Sequence, residues 1–417
     1  MAEWTAAGLA RLGRRAWLSL LIPLQARCTI PAPHRRWLLE QERAFAAELA
    51  QRWPAERFRR LRLRRWPLRP FVDLLNRPAG GQAYCGGPVL AAGRPMAALR
   101  HFRGERCIDD PLPCPALDEL RGWMRLRGRG FWCGPVCHHF GHQVADFGSR
   151  VLLASLDPRP GALLWQRFGP GADQPLKAWQ SSLLSYLNPG GKPIHWIDQP
   201  MRVNELVVIP QQARMRAAPT LAHLAALTWL QRRLPATEAV PLLYVSRSRF
   251  SACRGADSLF GGYAAEREFE ALLEALGVRV MHPQELSLEE QLRLYRSAGV
   301  ILLAEGSAQH GLELLGYDGD KQVLVLCRRP QLPGMELPLK ARFPQVRFLQ
   351  AVRAWWMAEG DVPWNGLALL DFAAVAEALQ PLGLWLTDAD VEALEQAAAQ
   401  QLAELSAALP LVRLELA

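Results

Sequence analysis

Between Leu242 and Cys327 short apolar runs alternate with amphipathic stretches, and this alternation constrains the fold more than any other feature of the chain. Leu242–Ser246 (LLYVS), Val278–Met281, Val300–Ala304 (VILLA) and Val323–Cys327 (VLVLC) have the length and content of buried strands. Between them, Ala264–Leu276 sets Phe269, Leu272, Leu273 and Leu276 on one helical stripe and stops at Gly277. Ser287 and Glu290 form the capping box of a second helix, SLEEQLRLYRSA. Strand, helix and strand repeated in this way predict a parallel sheet joined by right-handed crossovers.

A second strand–helix alternation precedes it. Gly130–Val136 leads into a helix through HHFGHQVADFGSRVLLASL. Ala162–Phe168 then reads as a strand, Trp179–Leu187 as a helix, Ile194–Ile197 and Leu206–Ile209 as strands, and Pro219–Leu234 as a helix. The expected fold class is therefore α/β, with two Rossmann-like domains, an irregular N-terminal region and C-terminal helices. The boundaries expected are 1–115 for the irregular basic region, 116–238 for the first Rossmann-like domain, 239–350 for the second and 351–417 for the helical end. Arg35–Trp53 reads as an amphipathic helix, and Pro88–Ala92 as a short strand between turns. A length of 417 residues, half of them apolar, suits two hydrophobic cores.

The formal net charge is +9, and the excess is uneven: Arg52–Arg77 carries nine arginines against Glu56 and Asp73. Such a patch suits a solvated face, nucleic acid, anionic lipid headgroups or anionic glycans. Eight scattered cysteines in a chain of this size read as reduced thiols. No apolar run is long enough to span a bilayer. Ala16–Ala26 is short and broken by Pro23, which favours a buried element or peripheral membrane contact over a signal peptide. The expected location is cytoplasmic, peripheral to the inner face of the membrane.

Chemistry concentrates in the loops that follow the second-half strands, where open parallel sheets bind their ligands. Arg247, Arg249 and Arg254 come after LLYVS; Glu305, Gly306, Ser307, Ala308 and His310 come after VILLA. Arginine forks suit phosphate oxygens, and a small-residue loop opening a helix lets backbone N–H groups approach an anion. Together they predict a diphosphate site.

The order YVSRSR, AEREFEALLEALGV and HPQELSLEEQLRLYRSAGVILLAEGSAQH resembles the second half of family 61 glycosyltransferases, the capsular-polysaccharide type. Upstream, Gly141, His142, Asp146 and Arg150 are similar to that family's first motif. The resemblance covers Gly130–Cys327. It departs in the loss of an Asn before Glu266, in Glu305 where His is common and in Asp146 where Glu is common. It implies a GT-B arrangement, with two Rossmann-like domains facing across a cleft, and inverting transfer from a nucleotide-sugar donor without a metal cofactor. The acceptor would be a glycan or lipid-linked glycan. On this reading Arg247 and Arg254, with Arg249, neutralise the donor diphosphate. Gly306, Ser307 and Ala308 supply backbone donors, and Glu305 or His310 meets sugar or ribose hydroxyls. His142 is the expected base and Asp146 the second candidate, four residues apart on one helical face.

Other readings compete. Cys133, Cys137, His138, His139 and His142 have spacing compatible with zinc but crowd into one short segment. Asp318-Gly319-Asp320 spells a metal–nucleotide motif but precedes a strand rather than following one, and reads as a turn. A polyanion-binding protein and a catalytically inactive sugar-nucleotide-binding protein are the non-enzyme alternatives. No helix-turn-helix, ribonucleoprotein or zinc-finger pattern supports a nucleic-acid partner.

Overall fold

The computed structural model describes residues 61–74, 83–88, 97–110, 116–167, 175–235, 237–252, 261–329 and 334–415. The expected helix at Arg35–Trp53, the Ala16–Ala26 segment, most of Pro88–Ala92 and Arg254 lie outside the described residues. The chain divides into two compact units, Met1–Arg233 with Glu313–Tyr317, and Leu234–Leu312 with Asp318–Ala417.

The first unit is built on seven strands: β1 (Leu61–Leu74), β2 (Ala83–Pro88), β5 (Asp109–Asp110), β6 (Met124–Val136), β7 (Ala162–Arg167), β8 (Ile194–Trp196) and β9 (Met201–Val208). A separate hairpin pairs β3 (Phe102–Arg103) with β4 (Arg106–Cys107). The sheet order is β5-β2-β1-β9-β6-β7-β8. β6 runs parallel to β7 and β9, and β7 parallel to β8; β1 is antiparallel to both β2 and β9.

This sheet is mixed, which corrects the expectation of an all-parallel first domain with an irregular region before it. Leu61, Leu63, Trp66 and Leu68 carry a strand alternation that slips by one residue at Arg64-Arg65, where Arg65 takes φ +50°. Pro67 and Pro70 argue against a strand inside a sheet, yet β1 lies between β2 and β9. Trp132, Leu164, Met201, Val203, Leu206 and Val208 form the apolar core together with Leu68 and Phe147.

The second unit holds β10 (Val240–Val245), β11 (Arg279–Met281), β12 (Ala298–Ala304), β13 (Gln322–Leu326) and β14 (Gln345–Leu349). All pairings are parallel, in the order β11-β10-β12-β13-β14. Counted from the first of these strands, the order is second, first, third, fourth, fifth: a doubly wound sheet whose connection reverses direction between β10 and β12. Its helices include a short one at Ser248–Ala252, which carries Arg249, then α1 (Glu266–Ala275) and α2 (Leu288–Ser297), and α2 has the Ser287–Glu290 capping box that the sequence spells. Leu242, Tyr244, Leu302, Ala304, Leu324 and Leu326 alternate onto one face and pack with Phe269, Phe372, Leu379 and Leu402.

Beyond residue 351 the chain is not wholly helical. Helices α3 (Phe372–Leu379) and α4 (Asp388–Ala408) accompany an antiparallel sheet of β15 (Val352–Ala358), β16 (Leu367–Leu370) and β17 (Leu411–Glu415) in the order β16-β15-β17. Trp355 and Trp356 sit in β15, where aromatic residues favour a pleated, half-buried surface. Among the described residues no helix is long and apolar enough to cross a membrane.

Candidate functional site

In the first unit β6 ends at Val136, and the chain turns into a short helix, Phe140–His142, in which the His142 N–H donates to the capping His139 Nδ1. The next turn, Gln143–Phe147, is a π-helix. Gly148 closes it by donating its N–H to the carbonyl of Gln143, five residues back. A Cβ at Gly148 would lie 2.8 Å from that oxygen, so the wide turn depends on glycine. π-turns are rare and occur mostly at functional sites. This one carries Asp146.

Asp146 is fully buried, while the His142 side chain keeps 24% of its surface exposed. Arg103 donates from Nε (3.0 Å) and Nη2 (2.7 Å) to Asp146 Oδ2. His142 Nδ1 lies 3.4 Å from the same oxygen and 2.9 Å from Arg103 Nη2. One ring nitrogen cannot serve both neighbours at once. If it accepts from Arg103, the ring proton is on Nε2; if it donates to Asp146, Nε2 carries the lone pair. Burial alone would raise the Asp146 pKa, but the bond to His142 and the Arg103 guanidinium outweigh it and hold the carboxyl below its ordinary range. Gln211 braces the turn by donating to the Asp146 carbonyl at 2.9 Å.

The neighbouring motif residues are structural. Arg150 is buried and its guanidinium donates to the carbonyls of Ala98, Arg100 and Ile209. Cys133 and Cys137 are buried and donate to the carbonyls of Phe131 and His139. Burial pushes both thiols up, Cys137 to about 12.

In the second unit the carboxyl ends of β10, β12 and β13 bring a separate group together. Arg247 follows β10 and is almost wholly buried. Its Nε donates to the Gly261 carbonyl at 3.0 Å, and its guanidinium stands over the Phe250 ring, 5.4 Å from the centroid. Gly306, after β12, comes against it so closely that a Cβ there would lie 1.6 Å from Arg247 Nη1. Arg328 and Arg329 follow β13, and their backbone N–H groups donate to Glu305 Oε2 at 2.7 and 3.0 Å. Arg329 Nε lies 3.1 Å from Glu305 Oε1. Glu305 Oε2 is thus held by two backbone N–H groups, while Oε1 lies at ion-pair distance from Arg329 and accepts no hydrogen bond among the described residues.

The electrostatics of this cluster are strained toward an anion. Burial lowers the Arg247 pKa, against the opposing pull of Glu266 and Glu305. Arg328 is lowered to about 10, first by burial and then by the charge of Arg247. Glu266, which accepts from Arg247 N, Tyr244 Oη and Ser246 Oγ, is pushed up by burial. A carboxyl held toward its neutral form offsets less of the positive charge.

The predicted donor residues divide accordingly. Glu305, Gly306, Ser307, Ala308 and His310 follow β12, and Arg247, after β10, meets them at Gly306; Ser307, Ala308 and His310 lie in the 3₁₀ helix Ser307–Leu314, with His310 buried. Arg249 is exposed and pairs with Glu285 through both carboxylate oxygens, apart from the cluster. Asp318 accepts from the N–H groups of Asp320 and Lys321, which makes Asp318-Gly319-Asp320 a turn before β13. Ala265, where the family pattern has Asn, takes φ +56°, a left-handed conformation that Asn tolerates better than Ala. Sequence reasoning missed Arg103, Arg328 and Arg329. The last two were accessible, since they follow the strand VLVLC at the same end of the sheet as Arg247.

Arginines gathered at the switch point of a doubly wound sheet suit an enzyme with a phosphate-bearing co-substrate, and the chain is a glycosyltransferase. The Glycosyltransferase 61 family model matches residues 140–313, from the start of the His142 helix into the 3₁₀ helix that carries His310. No curated protein matches the chain. Among solved structures it is similar to the bacterial iron-containing dodecameric glycosyltransferase TibC from enterotoxigenic E. coli H10407. That likeness is 14% identity over 82% of this chain and 94% of that one, with a TM-score of 0.26, too loose to bear on the fold.

Proposed function

We propose that the protein moves a sugar from a nucleotide-sugar donor to a saccharide acceptor with inversion at the anomeric carbon, in surface-polysaccharide biosynthesis. The observation that carries this is the burial of Arg247 against Gly306, and of Arg328 next to Glu305, at the end of the parallel sheet. As the bond from the anomeric carbon to the diphosphate breaks, charge builds on the leaving nucleoside diphosphate. Arg247, Arg328 and Arg329 stabilise that charge by position, without reorganisation, and take the place that a metal ion fills in other transferases. The backbone N–H groups at Ser307 and Ala308 add neutral donors.

The acceptor hydroxyl attacks the anomeric carbon and loses its proton to a base. His142 is the exposed member of the His142–Asp146 pair and takes that role through Nε2, with Nδ1–H directed at Asp146 Oδ2. Asp146 is buried against Arg103, so it orients the imidazole and stabilises its charged form rather than meeting substrate.

A thermal-shift panel tests the donor half independently of the acceptor. Nucleoside diphosphates should raise the melting temperature, in chelator as well as without it, and nucleosides should not. Stabilisation by divalent metal and diphosphate together, but by neither alone, would overturn the metal-independent reading.

A further inference from the structure

The first unit contains a cavity of about 1590 Å³ that the reaction above does not use. Among the described residues that line it, nine are Arg or Lys and two are carboxylates. It is formed by the amino-terminal parts of β6 and β9, the loops that lead into β7 and β8, and the start of β1. His142 and Asp146 follow the carboxyl end of β6. From Arg127 to Val136 an extended strand covers roughly 30 Å, so the two places occupy opposite ends of one sheet.

The walls are built and braced. Glu205 accepts from Arg62 and Arg129, and those bonds lower its pKa to about 2. Asp157 is buried and holds Arg159 through two bonds, of 2.9 and 2.8 Å. Lys192 Nζ donates to the Arg159 carbonyl at 2.6 Å, and Asn188 ties Lys192 to Ser155. A Cβ at Gly190 would lie 2.2 Å from the Ser155 carbonyl, so the two wall loops close only over glycine. In contrast, Arg64, Arg65, Arg125, Arg127 and Arg202 form no ion pair among the described residues. β6 bulges at Arg127-Gly128, which together face Asn204, and bulges re-aim side chains.

We propose that this groove binds an anionic glycan, a saccharide chain bearing carboxylate, sulfate or phosphate groups, at a distance from the reacting hydroxyl. The charge selects an anion. Its concave form suits a linear chain rather than the plane of a bilayer, and among the described residues no large exposed apolar side chain lines it for insertion. Among the described residues no aromatic ring lines it either, which disfavours single-stranded nucleic acid, whose bases need stacking platforms. The choice of a glycan over another linear polyanion rests on the glycosyltransferase reading; the binding of an anion does not.

The test is fluorescence titration of the full chain with labelled hexagalacturonate, with maltohexaose as the neutral control of equal length. Hexagalacturonate should bind, more weakly as salt rises, and maltohexaose should not. The triple variant Arg64→Ser, Arg125→Ser, Arg127→Ser changes exposed residues only and should weaken binding about tenfold or more. A control triple of exposed arginines elsewhere, Arg121→Ser, Arg267→Ser and Arg279→Ser, should not. Equal losses in the two triples would reduce the effect to net charge and overturn the proposal. So would preferential binding of phosphatidylglycerol vesicles or oligothymidylate that the groove triple abolishes. The diphosphate thermal shift is read from Arg247 and Arg328 and should survive the groove triple, which separates failure here from failure of the transferase reading.

Discussion

Arg247 Nη1 occupies the space that a side chain on Gly306 would need: a Cβ there would fall 1.6 Å from it. The two residues belong to loops after adjacent parallel strands, β10 and β12, so the glycine allows a guanidinium to lie across the switch point of the sheet. Gly306→Ala should therefore expel Arg247 while keeping every charge in the protein. Diphosphate affinity should fall by about 10- to 100-fold, the worth of a charge-assisted contact of about 1.5–3 kcal/mol. Calorimetry on the variant checks this, with circular dichroism to show that the fold is retained. An unchanged affinity would mean that Arg247 does not touch the ligand.

The His142–Asp146 pair divides labour by exposure. His142→Ala should lower turnover by roughly 10²–10⁴-fold, the usual span of a general-base contribution, and leave donor affinity nearly unchanged. Asp146→Asn should also lower turnover, by releasing the ring from its orientation. Steady-state rates with donor affinity measured in parallel decide it. Retained turnover in His142→Ala with loss in Asp146→Asn would reverse the roles.

Asp146 also links stability to pH. Its folded pKa is depressed, so its favourable contribution is present above the unfolded carboxyl value, near pH 4, and is lost as pH falls through the lower folded value. Melting temperatures of the wild type and Asp146→Asn should differ most at neutral pH and converge as the solution is acidified below about pH 4. A gap that widens on acidification would contradict the depressed pKa.

Much of the second unit was legible because its central strands β10, β12 and β13 are largely buried on both faces and read as continuous apolar runs. Leu242–Ser246 and Val300–Ala304 are plain in the sequence, and the Ser287–Glu290 box marks a helix start to the residue. The strand β1 was not, because its alternation slips at Arg65 and two prolines interrupt it. The sheet of β15, β16 and β17 is hidden for a related reason: strong helix formers in α3 and α4 dominate the composition around it. At the site, His142, Asp146, Arg247 and Gly306 stand in local patterns that sequence displays. Arg103 reaches Asp146 from 43 positions upstream through a two-residue strand, a contact that no local period encodes. Arg249 shows the converse error: it shares a turn with Arg247, but its helix carries it outward to Glu285.

The central claim is that the buried arginines, and not arginine in general, hold the donor diphosphate. Isothermal titration of a nucleoside diphosphate into the wild type, Arg328→Gln and Arg249→Gln tests it most directly. The account predicts a loss of about 1.5–3 kcal/mol for Arg328→Gln and a change within about 0.5 kcal/mol for Arg249→Gln, whose surface pair with Glu285 is worth little. Equal changes in the two variants, or none in Arg328→Gln, would contradict it.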